Sequence, residues 1–217
     1  LSSLKPYVAG KPLSSKEYLK LNANECPFAL PQSVYKKACK IKDIHRYHEG
    51  SGYLLRSQIA SSTHLLPQNI ILGNGSGELI LLYLLAFLEP EQEIVISEGT
   101  FSLYKMYGLL NNNKVKTIPL NTHLQVDLEA MQKAIHSNTK VVFLCNPNNP
   151  TGHSWSYEKI EEFLKALPPS VTLFLDEAYI HYSPYYNNEK IKDFILKYKA
   201  KRIVYVSFYK VLVLFLL

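Results

Sequence analysis

The stretch Val141-Val142-Phe143-Leu144-Cys145-Asn146-Pro147-Asn148-Asn149-Pro150-Thr151-Gly152 limits the possible folds more than any other part of the chain. Its apolar, β-branched and aromatic opening reads as a strand buried on both faces, the habit of parallel sheets. Two Asn-Pro steps then end the strand. Proline donates no ladder hydrogen bond, and it pushes the residue before it out of the α region. The turn that results presents three asparagine amides at the carboxyl end of a buried strand. Open α/β sheets bind their ligands at that edge. Taken alone, the same residues would also suit an ordinary loop rich in Asn and Pro.

The surrounding sequence alternates between strand and helix patterns. Residues 1–31 are irregular, 33–41 read as a short helix capped by Ser33, and 53–64 as a second helix after a turn. From residue 69 the pattern predicts strands at 69–72, 93–97, 115–119, 141–145, 171–175 and 202–208. Helices are predicted at 79–88, 101–110, 127–135, 156–167 and 191–198, with Asp127 and Ser156 as N-caps. The helix over 79–88 is apolar on nearly every side, so deep burial is expected for it. The fold class that follows is α/β, a mostly parallel sheet with helices on both faces.

Composition removes several alternatives. Apolar residues make up 47% of the 217, without long charged blocks, which suits a packed core and not disorder. No apolar run approaches the roughly 20 residues of a membrane helix. The first residues lack the layout of a signal peptide, so a cytoplasmic location and no membrane partner are expected. Cys26, Cys39 and Cys145 are scattered, as reduced thiols would be. The net charge of +6 is spread along the chain, which reads as a solvated basic surface and not a nucleic-acid site. His45 and His48 have ligand spacing, but no further His or Cys stands near them, and no metal site is expected.

Polar groups collect at the predicted strand exits. The turn Gly73-Asn74-Gly75-Ser76-Gly77-Glu78 precedes a helix, whose free N–H groups and dipole favour a phosphate. It is neither a Walker loop nor Gly-x-Gly-x-x-Gly, since Glu78 stands where the third glycine belongs. Asp176 ends a buried strand and must be paired. A helix cap, a metal shared with Glu177 and His181, or a protonated ring nitrogen would each satisfy it. Lys210 follows the last strand, and a lysine among apolar groups has the lowered pKa that carbonyl chemistry needs. A phosphate cradle, a strand-end Asp, Asn149 with Tyr179 and a strand-end Lys together match pyridoxal 5'-phosphate, with its phosphate, ring nitrogen, phenolic oxygen and aldehyde.

These residues resemble the pyridoxal-phosphate aminotransferases of fold type I, and among them the histidinol-phosphate aminotransferases. The resemblance is carried by Leu21-Asn22-Ala23-Asn24-Glu25, Arg46-Tyr47, Gly73 to Leu79, Thr100-Phe101-Ser102-Leu103-Tyr104, Phe143 to Gly152 and Asp176-Glu177-Ala178-Tyr179-Ile180. It implies that Lys210 bonds the cofactor aldehyde and moves the substrate proton, and that Asp176 keeps the ring nitrogen protonated. Asn149 and Tyr179 would hold the phenolic oxygen, Phe101 the ring face, and Gly75, Ser76, Gly77 and Ser207 the phosphate region. Tyr47 would reach the cofactor of a second subunit, which implies a homodimer, and Tyr7 and Asn24 would lie near substrate. The implied reaction is amino transfer between L-histidinol phosphate and 2-oxoglutarate in histidine biosynthesis. Another class I/II aminotransferase, a threonine-phosphate decarboxylase-like enzyme and an inactive fragment acting as a binding module are the alternatives.

The resemblance also divides the chain into an N-terminal segment, 1–44, and a cofactor-binding large domain, 45–217. That domain would be incomplete at its C-terminus, with the small domain absent. Gly77 replaces the usual Asp, Glu98-Gly99 stands where Pro commonly precedes Thr, Tyr209 replaces a phosphate-binding Ser, and the family's following Arg is missing. The tail Val211-Leu212-Val213-Leu214-Phe215-Leu216-Leu217 departs further and reads as a shifted frame. Deleting one T from a family-like Lys-Val-Phe-Gly-Leu coding sequence yields Lys-Val-Leu-Val. At about 25 cal/mol per Å² of apolar surface, leaving that tail in water forfeits several kcal/mol, so an aggregation-prone chain of little transaminase activity is expected. The DNA beyond codon 217 checks the frameshift. Another frame there should encode Gly-Leu-Ala-Gly-Leu-Arg-like sequence, and its absence from every frame would end the idea.

Overall fold

The computed structural model describes residues 23–26, 28–63, 65–198 and 203–207, and the chain divides into two compact units at Ser51/Gly52. In the first unit, α1 (Gln32–Ala38) buries none of its residues. Ser33 does not cap it. The helix starts one residue earlier because the Pro31 carbonyl accepts from the N–H groups of Val34 and Tyr35, at 2.9 and 3.2 Å.

The second unit runs α2 (Tyr53–Thr63), α3 (Gly75–Phe87), β1 (Glu93–Ser97), α4 (Ser102–Leu110), β2 (Lys114–Ile118), α5 (Leu128–Lys133), β3 (Thr139–Cys145), α6 (Tyr157–Ala166), β4 (Thr172–Glu177), α7 (Asn188–Tyr198) and β5 (Ile203–Ser207). All five strands pair in parallel, in the order β2-β1-β3-β4-β5. The α/β class with a parallel sheet is therefore as the alternation predicted. Every residue of β1 and β4 is buried, as expected of parallel strands covered on both faces. At the sheet margin, β2 exposes Lys114 and Lys116, charges that discourage a foreign strand from adding there.

The strand order also assigns the helices to layers. The step from β1 to β2 runs one way across the sheet and the later steps run the other. With right-handed crossovers, α4 then covers one face and α5, α6 and α7 cover the opposite face. The contacts agree. Helix α3 packs on α4 and α5 on α6, while Lys190–Glu158 at 2.8 Å and Lys197–Glu161 at 2.6 Å tie α7 to α6. Gly108 permits the close seat of α4, because a Cβ there would stand 2.5 Å from Ile94 Cδ1. The caps at Asp127 and Ser156 form as the sequence predicts, accepting from Ala130 N and Lys159 N.

Two further expectations fail, each for a physical reason. Residues 70–72 form no strand, although Ile70 is extended, because no described strand pairs with them to complete a ladder; a 3₁₀ turn, Pro67–Asn69, precedes them. The apolar helix is not buried all round. Leu79, Ile80, Tyr83 and Leu84 face the core, whereas Leu82, Leu85 and Phe87 are 46%, 59% and 49% exposed. Among the described residues nothing lies outside α3 to cover that outer side.

An aromatic row joins the α3–α4 layer to the sheet. Tyr83 meets Phe174 edge-on at 5.4 Å, Phe174 meets Phe143 at 4.7 Å, and Phe143 stacks on Tyr104 at 4.7 Å and 17°. Phe143 is 1% exposed and Phe174 fully buried. Truncating Phe143 to Ala should cost about 3–5 kcal/mol through lost burial and the cavity left behind. Urea unfolding of Phe143→Ala against Phe143→Leu measures it, with the leucine variant retaining most of the stability.

Candidate functional site

The turns after β1 and β3 lead into crossovers that run in opposite directions. A parallel sheet opens a crevice at such a switch point. Both turns enter it, together with the exit of β4 and the start of α3. Ser76, Phe101, Cys145, Asn149, Asp176, Ala178 and Tyr179 line one cleft there. Residues more than 100 positions apart in sequence meet because parallel strands all end on the same edge.

The β3–β4 register sets the floor. Cys145 and Asp176 are Cα partners at the strand ends, so both stand at one level. Asp176 is 2% exposed. The Tyr104 hydroxyl donates to its Oδ2 at 2.6 Å, and the Ala178 N–H donates to Oδ1 at 3.0 Å. Burial raises the Asp176 pKa above the ordinary carboxylate value, and these two donors oppose that rise. Burial likewise pushes the Cys145 thiol up, with the Asp176 charge adding to it, so Cys145 stays a thiol. Its Sγ lies 3.3 Å from the Pro147 carbonyl.

The neighbouring carboxylate faces away. Successive residues of a strand point to opposite faces, and Glu177 accepts from the Tyr157 hydroxyl of α6 at 2.9 Å, on the side opposite α4. Asp176 and Glu177 therefore cannot grip one metal ion. Among the described residues no cluster of three or more His, Cys, Asp or Glu is placed to hold a metal. His48 Nδ1 lies 2.9 Å from the Glu49 carbonyl oxygen.

The three asparagines after β3 have different duties. Asn146 folds its amide onto Trp155, accepting from the Trp155 N–H at 2.7 Å and donating to its carbonyl at 3.1 Å. Asn148 accepts from the Thr100 hydroxyl at 2.8 Å and donates to Gly99 O and Thr151 Oγ1 at 3.0 and 2.9 Å. It thus bolts the β1 turn to the β3 turn, which contains cis peptide bonds at Asn146–Pro147 and Asn149–Pro150. Asn149 alone makes no side-chain hydrogen bond with the described residues, and it lines the cleft.

Helix α3 begins at Gly75, four residues before the sequence pattern placed it, with Gly75 at φ +82. Only glycine takes that angle without strain. The Glu78 carboxylate turns back to accept from the Asn74 N–H at 2.5 Å, a negative charge at the helix start. First-turn N–H groups have no carbonyl partner inside their own helix, and those of Ser76 and Gly77 belong to this turn. A Cβ on Gly77 would press on Leu103 Cδ1 at 2.9 Å, so the departure from Asp suits the seat of α3 against α4.

Of the residues expected at the site, Ser76, Phe101, Asn149, Asp176 and Tyr179 come together in the cleft, with Gly75 and Gly77 flanking Ser76. Ser207 ends β5 and is the Cα partner of Glu177. Asn24, at φ 48, and the fully exposed Tyr47 belong to the first unit. Tyr7 and Lys210 lie outside the described residues. Sequence reasoning gave no role to Tyr104, Cys145, Ala178 or Asn148. Tyr104 could have been found, since it stands one helical turn after Phe101 and meets that ring edge-on at 5.6 Å.

Fold and cleft together define an α/β domain that collects a buried acid, an aromatic face, an amide, a phenol and a helix start at one sheet edge. The chain belongs to the aminotransferase class I and II family, whose profile matches residues 16–208. It is 36% identical over 199 residues to histidinol-phosphate aminotransferase 2 of Carboxydothermus hydrogenoformans, covering 87% of this chain and 54% of that protein. It is also 36% identical over 213 residues to histidinol-phosphate aminotransferase 1 of Mannheimia succiniciproducens, covering 94% and 57%. The crystal structure of histidinol-phosphate aminotransferase from Sinorhizobium meliloti in complex with pyridoxal-5'-phosphate superposes with a TM-score of 0.72 at 23% identity, over 83% of this chain and 48% of that one. The fold is accordingly that of the fold type I large domain, and the chain spans about half the length of the relatives it matches.

Removing the Asn148 amide should loosen the cleft edge. Unsatisfied buried polar groups cost about 1–3 kcal/mol each, so Asn148→Ala should destabilise by at least that much and speed amide exchange across 146–152. Hydrogen-exchange mass spectrometry measures it, and unchanged exchange there would show that the amide is not what holds the turn.

Proposed function

We propose that this chain carries the pyridoxal 5'-phosphate-binding part of an aminotransferase that moves an amino group between L-histidinol phosphate and 2-oxoglutarate. The observation that supports it best is the meeting of Ser76, Phe101, Asn149, Asp176 and Tyr179 in one cleft at the switch point. The donor set fits the cofactor: a buried acid for a ring nitrogen, an amide and a phenol for a phenolic oxygen, an aromatic face, and a helix start for a phosphate.

When bound, the cofactor supplies an aldehyde and an electron-withdrawing ring. The residues of the chain do the rest. Asp176 holds a proton on the ring nitrogen, which requires the carboxylate to be ionised beside it. Asn149 and Tyr179 would orient the phenolic oxygen, Phe101 would cover one ring face and exclude water, and the N–H groups of Ser76 and Gly77 would take the phosphate, with Gly75, whose own N–H donates to the Gly73 carbonyl at 2.8 Å, shaping the turn and Ser207 on the same sheet edge. Lys210 is the residue assigned to bond the aldehyde and carry the substrate proton. Asn24 and Tyr7 are assigned to the substrate, and Tyr47 to the cofactor of a second copy in a homodimer. The likeness to the histidinol-phosphate aminotransferases named above supports this choice of substrate, and a cytoplasmic biosynthetic role is proposed with it.

Borohydride treatment of the chain mixed with pyridoxal 5'-phosphate should fix the cofactor to Lys210, as read by peptide mass spectrometry. Lys210→Ala should abolish the adduct at that position, and labelling indifferent to the substitution would remove the assignment. In an absorbance titration of the loaded chain, L-histidinol phosphate should change the spectrum at lower concentration than L-aspartate or L-alanine.

A further inference from the structure

We infer that Tyr104 is a positioning residue: its buried hydroxyl fixes the Asp176 carboxylate and holds it ionised for a cationic ring nitrogen. The inference rests on the cofactor reading above and adds to it a residue that lies one layer behind the cleft.

The geometry allows little else. Tyr104 is fully buried, its ring is stacked on Phe143 at 4.7 Å, and its hydroxyl is 2.6 Å from Asp176 Oδ2. Burial and the neighbouring Asp176 raise the Tyr104 pKa well above the ordinary phenol value, so the hydroxyl keeps its proton and acts as a donor wherever the chain is folded. With the Ala178 N–H on Oδ1, both carboxylate oxygens are held, and the carboxylate plane cannot turn. The groups facing Asp176 are Tyr104 from α4 and the protonated Cys145 thiol from β3, with Tyr179 on the cleft wall. Glu177 points to the other side. Among the described residues no Lys or Arg is paired with Asp176, so neutral donors alone oppose the cost of burying its charge.

The sign of the pH effect follows. Burial raises the folded-state pKa of Asp176 above its unfolded value. Such a carboxyl contributes stability that is fully present below the unfolded pKa and is lost as pH rises through the folded pKa. Removing the Tyr104 donor raises the folded pKa further, so that loss becomes larger. The penalty of Tyr104→Phe should therefore be small near about pH 4 and larger near about pH 7. A residue that only fills space would show one penalty at both.

The test uses Tyr104→Phe, which keeps the ring on Phe143, together with Asp176→Asn and the double variant. Unfolding by urea at the two pH values should show the pH-dependent penalty in the Asp176 background and none in the Asp176→Asn background. Pyridoxamine 5'-phosphate is the binding probe, because it has no aldehyde and needs no bond to Lys210. Tyr104→Phe should weaken its binding about tenfold at neutral pH, as the loss of a hydrogen bond to a charged group predicts. In the Asp176→Asn background the further loss should be much smaller. Equal penalties at both pH values, or additive binding losses, would overturn the inference. If the unmutated chain does not bind the probe at all, the cofactor reading fails, and the pH dependence of unfolding still decides whether Tyr104 keeps Asp176 ionised. Should Tyr104→Phe not fold, carboxyl-¹³C NMR titration of the unmutated chain decides. Asp176 ionised at neutral pH supports the inference, and Asp176 protonated there overturns it.

Discussion

A carboxylate closed off from water is among the most expensive groups a protein can bury. Asp176 is such a group, and much of the second unit is arranged around it. The β3–β4 register brings it level with Cys145 at the cleft floor. The aromatic row Tyr83–Phe174–Phe143–Tyr104 fixes where α4 lies, and α4 delivers the hydroxyl that meets Oδ2. The same packing that makes the core therefore also places one of the two donors, beside the Ala178 N–H, on which the buried carboxyl leans. Core and site are here one structure, since Phe174 and Asp176 are two residues apart on the same face of β4.

The alternation of strand faces explains why two adjacent carboxylates behave so differently. Asp176 turns to the α4 side and reaches the cleft, whereas Glu177 turns to the α6 side and is bound by Tyr157. Neighbours in sequence, they sit in separate layers. A metal reading of Asp176, Glu177 and His181 was open from residue types alone, because sequence spacing does not say which face a strand shows. Only once the ends of β4 are known does the pair come apart.

Much of the fold was legible because its causes are local. The apolar Val-Val-Phe-Leu run at 141–144 marks a buried strand from its own residues, and Asp127 and Ser156 cap helices through contacts three residues away. What was misread depended on partners far off. Residues 70–72 have strand chemistry and no strand beside them. The outer side of α3 has core chemistry, yet nothing among the described residues covers it. Ser33 is a good cap residue displaced by the rigid Pro31 just before it. In the site, Asn149 is given its role by the likeness to the family motif, not by the turn alone. Asn148 was passed over because Asn146, Asn148 and Asn149 are chemically identical, and only the fold shows which amides are spent on holding the turn.

The cleft also shows how little chain such a site requires. Ser76, Phe101, Asn149, Asp176 and Tyr179 all come from one continuous stretch of a little over one hundred residues. Each lies at a helix start or within a few residues of a strand end. Their mutual placement thus depends on the parallel register of β1, β3 and β4 and on the seat of α3 against α4. None of those contacts uses β5. The five cleft residues are therefore set by the sheet and by the two helices seated beside it. A parallel sheet with a switch point can in this way gather side chains from distant parts of the sequence at one edge, because the register of three strands fixes them all at once.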